Sequence, residues 1–101
     1  MQKWVQAILH RARAERAHIL DLGNCGLASF PEQVFDLPDL EVLVLGPRYY
    51  GPGKDAVVSS ANHGPTNTIP ELPDDLQHLP NLRSLSLADN PITAIEPLRH
   101  A

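Results

Sequence analysis

The sequence predicts an α/β fold in which short parallel strands recur along the chain after one amphipathic helix. Three segments alternate in the way a strand does when every second side chain enters a core, and these are Ile19–Leu22, Val42–Leu45 and Ser84–Leu87. Two longer segments, Phe30–Leu40 and Leu72–Leu82, both read apolar-Pro-x-x-apolar-x-x-Leu-Pro-x-Leu without a gap. Recurrence of this kind predicts a repeat architecture whose neighbouring units share one core.

The joined segments give the pattern Leu-x-x-Leu-x-Leu-x-x-Asn/Cys-x-Leu, which resembles the leucine-rich repeat. This resemblance implies a short solenoid of three repeats, at residues 17–39, 40–81 and 82–101, with a parallel β-sheet on its concave face. Residues 12–31 also resemble the opening of bacterial-type cytosolic leucine-rich-repeat proteins, such as Roco-family GTPases and immune-receptor-like proteins. The pattern positions of the first and third repeats are Ala17, Leu20, Leu22, Cys25, Leu27 and Phe30, and Leu82, Leu85, Leu87, Asn90, Ile92 and Ile95.

Residues 1–16 are predicted to form an amphipathic helix that caps the repeats. Apolar residues recur there at helical spacing, and basic residues leave the other face charged. The apolar set is Trp4, Val5, Ile8, Leu9 and Ala12, and the basic set is Lys3, Arg11, Arg13 and Arg16. Because the first unit of a solenoid has no upstream neighbour, we expect this helix to cover its open end. The alternative for a basic amphipathic segment is a helix that lies on a membrane surface.

The middle repeat departs from the pattern, because Arg48 stands where the repeat expects Asn. The expected residue occurs at Asn67, so an insertion occupies the region around residues 48–66. Its many Gly and Pro residues predict a loop. Asn67 and Asn90 are expected to hydrogen-bond the backbone where each unit turns, and Cys25 holds the same position as a small alternative.

Catalytic and metal-binding residues are not indicated. Cys25 is the only cysteine, which excludes an intramolecular disulfide and argues against a cysteine-based zinc site. The five histidines show no metal-ligand spacing, and Gly51-x-Gly53-Lys54 lacks the spacing of a phosphate-binding loop. We therefore expect no enzymatic activity, no cofactor and no metal, with a structural role for Cys25.

Charge argues against nucleic acid as the main ligand. The chain carries a net charge of −4, but residues 1–16 contain four basic residues and one acidic residue, so the remainder is strongly acidic. Binding to a phosphate backbone needs clustered Lys and Arg, which this acidic body does not offer. No apolar run is long enough to cross a membrane. The expected location is the cytoplasm.

Alternation along the strands predicts which side chains face the core and which face the concave side. We expect the strand leucines to be buried and the residues between them, such as Asp21, Val44 and Ser86, to be exposed. The leucines concerned are Leu20, Leu22, Leu43, Leu45, Leu85 and Leu87.

The concave face is the predicted binding surface for a protein partner, since Ile19, Val42 and Val44 would form an apolar patch there. Tyr49 is among the residues that begin the insertion, and Tyr and Arg are common interface anchors. The alternative is a structural loop whose tyrosines pack on the convex or lateral side. The predicted partner-binding residues are Ile19, Asp21, Val42, Val44, Arg48, Tyr49, Tyr50, Ser84 and Ser86. This predicts a protein-protein interaction module, the recognition part of a larger signalling or defence protein.

The C-terminal edge of the predicted sheet has no capping segment in the sequence comparable with residues 1–16. An uncovered apolar edge costs stability, so we expect either a longer repeat array or a second copy of the chain to cover it. The second case makes the chain a self-assembling structural protein, which is the alternative function. The residues expected at this edge are Leu85, Leu87, Ile92, Ile95 and Leu98.

Overall fold

The computed structural model describes residues 2–50, 57–73, 76 and 78–90. The predictions for Ile92, Ile95 and Leu98, and for the side chain of Tyr50, lie outside the described residues. The elements in chain order are α1 (Lys3–Glu15), β1 (Ile19–Asp21), a 3₁₀ helix (Glu32–Asp36), β2 (Val42–Val44), β3 (Arg48–Tyr50), β4 (Val57–Ser59) and β5 (Ser84–Ser86).

Helix α1 packs one apolar stripe against the core, as predicted. Val5, Leu9 and Ala12 are buried, and Ile8 packs against the same cluster. Trp4 was expected in this stripe, but it is 40% exposed. It directly precedes Val5, and neighbouring residues of a helix point about 100° apart, so its side chain lies beside the buried stripe. The helix ends where Arg16 adopts a left-handed conformation with φ of 52°. None of the described residues forms a helix long and apolar enough to cross a membrane.

Three strands form a parallel sheet in the order β1-β2-β5, which confirms the prediction of parallel strands at these segments. The register sets Leu20 beside Leu43 and Leu43 beside Leu85. Leu20, Leu22, Leu43 and Leu45 are buried in the core, as the alternation predicted. The same core contains Val34, Leu37 and Leu40 from the first longer segment and Leu72, Leu76 and Leu79 from the second.

Leu85 and Leu87 differ from the other strand leucines, because they are only partly buried against the core. The expectation of full burial is wrong for these two residues. Strand β5 is the last in the order of the sheet, and among the described residues it pairs with β2 alone. β1 is also an edge strand, but its Leu20 shares the core cluster with Val5, Leu9 and Ala12 of α1, so an edge position alone does not expose a strand leucine.

The insertion was predicted to be a loop, but it contains strands β3 and β4. These strands pair in antiparallel fashion, with Arg48 opposite Ser59 and Tyr49 opposite Val58. The aromatic and β-branched residues at these positions favour strand, and this preference outweighs the general Gly and Pro content of the insertion. We call this pair of strands the ribbon.

The backbone segments that follow the strands approach each other closely at Gly23 and Gly46. A Cβ atom on Gly23 would lie 2.2 Å from the carbonyl oxygen of Gly46, and one on Gly46 would lie 2.8 Å from the backbone N and O of Ala88. Such distances are shorter than any real Cβ contact, and backbone atoms cannot rotate away as the end of a side chain can. Glycine is therefore required by packing at both positions.

We expect Gly23→Ala to destabilise the fold by roughly 1–3 kcal/mol, because the new methyl group overpacks a site bounded by backbone. Urea denaturation followed by circular dichroism measures the change. His10→Ala, at an exposed position of α1, is the control and should alter stability by no more than about 0.5 kcal/mol. Equal stability of the two variants would show that the backbones are not in close contact at Gly23.

Candidate functional site

The face of the parallel sheet opposite the core consists of two rows of residues, and we call it the outer face. Adjacent residues of a strand point to opposite sides, so the neighbours of the core leucines belong to this face. The strand register aligns one row, which we call the front row, and a second row two residues further along. The front row is Ile19, Val42 and Ser84, and the second row is Asp21, Val44 and Ser86.

Val44, in the middle of the second row, was predicted to be exposed, and this prediction is wrong. Its side chain is fully buried, yet it does not belong to the core cluster. Val44 therefore does point to the outer face, and something other than the core covers it. The hydrogen bonds on either side of it identify the cover as the insertion.

On the β5 side, the insertion is held through the first residue of β3. The hydroxyl of Ser86 donates a hydrogen bond to the backbone carbonyl of Arg48. The guanidinium of Arg48 also lies 3.6 Å from the carboxylate of Asp89, and both side chains are largely exposed. An exposed ion pair adds little stability, so the Ser86 hydrogen bond is the more specific attachment.

On the β1 side, the insertion is held by the carboxylate of Asp21. This carboxylate accepts hydrogen bonds from the Ser60 hydroxyl at 2.7 Å, the Ala61 backbone N–H at 2.9 Å and the Gly23 backbone N–H at 3.0 Å. Ser60 follows β4 directly and is itself buried. The ribbon is thus anchored over β5 at its start and over β1 at its end, so it crosses β2 and covers Val44.

Asn62 extends the attachment to the turn that follows β1. Its side-chain amide donates to the backbone carbonyls of Asp21 and Gly23, and its own backbone carbonyl accepts from the Asn24 side chain. Further along, the Gly26 backbone N–H donates to the carbonyl of Pro65. None of the residues from Ser60 to Pro65 was identified from the sequence, because short polar side chains with long-range partners leave no periodic pattern.

The front row, in contrast, is open to solvent. Ile19 is 45% exposed, Val42 is half-buried and Ser84 is exposed. The residues just before them are polar, since the imidazole of His18 pairs with the carboxylate of Glu41 and Arg83 is exposed. The front row therefore contains two apolar residues, Ile19 and Val42, with polar groups beside them.

The insertion residues predicted at the binding surface have different surroundings. Tyr49 and Val58 are half-buried, while Arg48, Val57 and Ser59 are exposed. Since side chains alternate across a strand, Tyr49 and Val58 lie on the side of the ribbon that faces the protein. Tyr49 thus packs inward, and Arg48 is the predicted anchor whose side chain remains open.

Asn67 has the role in the backbone turn that its position predicted. Its side-chain oxygen accepts from the backbone N–H groups of Cys25 and Leu27, and its side-chain nitrogen donates to the carbonyls of Leu22 and Leu45. Asn90 likewise accepts from the backbone N–H of an earlier residue, Ile69, and its side-chain nitrogen donates to the carbonyl of Leu45. These bonds confirm the predicted role of both asparagines.

Cys25 lies beside Asn67 and is almost completely buried. Burial raises the pKa of its thiol to about 11, and the negative charge of Asp21 adds to this increase. The thiol is therefore protonated at neutral pH, which is the opposite of the activated thiolate that nucleophilic catalysis needs. Among the described residues, no group of His, Cys, Asp or Glu side chains is arranged to hold a metal ion.

Comparison with known proteins finds a loose likeness to a solved structure. No protein-family model matches the chain, and no curated protein matches it. Among solved structures, the chain is similar to a leucine-rich repeat protein from Leptospira interrogans, with 25% sequence identity and a TM-score of 0.40. The match covers 81% of this chain and 22% of that protein, so the chain spans about a fifth of its length. This likeness is to one leucine-rich repeat protein, and it does not support the expected resemblance to Roco-family or immune-receptor-like proteins.

The raised pKa of Cys25 predicts how stability depends on pH. An unfolded chain loses the thiol proton near pH 9.0, whereas the folded chain keeps it until about pH 11. Between these values the unfolded state binds fewer protons, so the free energy of unfolding falls as the pH rises. We expect the free energy of unfolding of the wild type to show this decline. Cys25→Ala has no thiol and should lack this contribution to the decline.

Urea denaturation of both proteins at intervals from pH 7 to pH 11 measures the difference. The comparison cancels the titration of Tyr and Lys residues, which the two proteins share. A stability difference between wild type and Cys25→Ala that stays constant across this range would contradict the assignment.

Proposed function

We propose that this chain is a protein-binding module of the leucine-rich repeat type, with the front row of the outer face at the centre of its binding surface. The observation that supports this is the unequal cover of the sheet. Parallel sheets are normally covered on both faces. Here the ribbon covers the second row, whereas the front row leaves Ile19 45% exposed.

The chemistry of the front row suits a protein partner. Ile19 and Val42 provide apolar area at the centre, and His18, Glu41 and Arg83 provide a polar border. An apolar centre with a polar rim is the usual arrangement of a protein interface. Ser84 and Arg48 extend the proposed surface toward β5 and the ribbon.

In this function the chain is the recognition part of a larger signalling or defence protein in the cytoplasm, and its three repeats form part of a solenoid. A supporting role falls to Asp21 and Ser86, which bind the insertion, to Val44, which the insertion covers, and to Tyr49, which packs inward from it.

We expect Ile19→Asp to abolish partner binding without unfolding the chain, because the substituted side chain is already exposed and the new charge is desolvated only on association. Affinity purification from the native cells, with chemical crosslinking and quantitative mass spectrometry, compares the proteins that each variant retains. At least one protein should fall by about tenfold or more with Ile19→Asp.

His10→Asp, at an exposed position of α1, is the matched control and should retain the same proteins as the wild type. Circular dichroism verifies that both variants are folded. If Ile19→Asp and His10→Asp retain identical sets of proteins, the front row is not the binding surface.

A second candidate function is self-association through the edge of β5. Leu85 and Leu87 are more exposed than the corresponding Leu43 and Leu45, and among the described residues β5 pairs on one side only. An unpaired strand edge is a template for another strand, including that of a second copy or of a longer repeat array.

Light scattering over a range of concentrations tests this candidate. We expect a dimer that Leu87→Glu converts into a monomer, because the charge would enter an apolar contact between copies. Ile19→Glu is the control on the same sheet and should leave the dimer intact. A wild type that stays monomeric at all concentrations removes this candidate.

A further inference from the structure

The ribbon has one strand edge that no described residue covers. Strand β3 lies between β4 and the attachment to Ser86, whereas β4 pairs with β3 alone in the described part of the chain. Val57, at the start of β4, is 58% exposed, the largest exposure among the described large apolar residues. Within the described part of the chain, the outer edge of β4 is therefore uncovered.

The hydrogen-bond pattern of the ribbon determines which backbone groups this edge presents. The backbone N–H of Ser60 donates to the carbonyl of Pro47 at 2.8 Å, so these two residues form a hydrogen-bonded pair. Such pairs alternate with non-bonded pairs in an antiparallel ladder. Tyr49 and Val58 are then the next hydrogen-bonded pair. Arg48 and Ser59, which lie between these two pairs, turn their backbone groups away from the opposite strand.

Arg48 provides independent support for this alternation. It lies opposite Ser59 in a non-bonded pair, so its carbonyl should point away from β4. That carbonyl accepts the hydrogen bond from Ser86, on the side away from β4. By the same rule, the N–H and C=O groups of Val57 and Ser59 point outward from β4, and no described residue hydrogen-bonds them there.

We propose that the outer edge of β4 binds an extended segment of a partner protein, which adds a third strand to the ribbon. Val57 and Ser59 each offer one donor and one acceptor at the spacing of a strand, and an extended peptide presents the matching groups. This surface is separate from the front row and goes beyond the function proposed above.

The short length of the edge favours an extended segment over a second folded copy. Only the residues Val57–Ser59 belong to β4, and Ser60 turns back to bond with Asp21. Two copies joined along three residues would bury far less than the roughly 1,200 Å² that a stable interface needs. A short extended peptide needs less buried area, because main-chain hydrogen bonds to the edge strand provide its affinity.

The side chains at the edge indicate the composition of the segment. Val57 and Ser59 lie on the side of the ribbon that faces away from the protein. A β-branched or aromatic residue beside Val57 would cover its exposed side chain, since such cross-strand pairs stabilise a sheet. The expected segment alternates apolar and polar residues and lacks Pro at the bonded positions.

Selection from a displayed library of random peptides about 12 residues long, with the full chain as bait, provides the probe. The selected peptide is synthesised, and its affinity for each variant is measured by fluorescence anisotropy. Ser59→Pro removes the outward N–H, and the ribbon itself loses no hydrogen bond. We expect Ser59→Pro to weaken binding by about tenfold or more and Ser59→Ala to change it by less than about twofold.

Amide exchange of the wild type, followed by nuclear magnetic resonance, gives a second measurement. The N–H groups of Val57 and Ser59 should exchange at least about tenfold more slowly when the peptide is bound. Equal affinity of Ser59→Pro and Ser59→Ala, or unchanged exchange at both amides, would overturn the proposal.

Three further outcomes would also refute the proposal. Peptides that lose affinity with Ile19→Asp but not with Ser59→Pro bind the front row, which refutes the edge site and leaves the proposed function intact. A wild type that dimerises without peptide, and that Ser59→Pro makes monomeric, has a second copy as the occupant and refutes the peptide assignment. A library that yields no peptide above the level of a bait-free control also refutes it.

Discussion

The side-chain amide of Asn67 joins three parts of the fold that are distant in sequence. It is fully buried and makes four hydrogen bonds, two to the backbone of the turn at Cys25 and Leu27 and one each to the carbonyls of Leu22 and Leu45. Backbone groups buried at the ends of short parallel strands would otherwise lack partners, at a cost of about 1–3 kcal/mol each. The same amide also fixes the point at which the insertion ends, because Asn67 is the first buried residue after it.

The position of the insertion follows from this constraint and from the glycines beside it. Its two ends are fixed, at Leu45 before the insertion and at Asn67 after it. The chain between them must therefore begin and end at the same end of the parallel strands. Gly23 leaves room for Ser60, since a Cβ atom there would lie 2.9 Å from the Ser60 side chain. The carboxylate of Asp21 can then bind Ser60 and Ala61, and the ribbon is held over Val44.

The two rows of the outer face therefore have different roles. The second row is used for the protein's own structure, because Asp21 and Ser86 bind the insertion and Val44 is covered by it. The front row, with Ile19 exposed, is available to a partner, and the ribbon contributes a separate strand edge at β4. A surface that appears continuous in the strand alternation is therefore two surfaces, which can be tested independently by substitutions at Ile19 and Ser59.

The sequence by itself determined the parallel strands, the core leucines of β1 and β2, the buried stripe of α1 and the role of Asn67, because each depends on local periodicity or on a fixed position in the repeat. Tertiary structure decided the rest. The burial of Val44 depends on Asp21 and Ser60, which are far apart in the chain, and the ribbon depends on a strand preference that the Gly and Pro content concealed. Neither has a period that can be read from residue spacing, because contacts between distant short polar side chains are set only when the chain has folded.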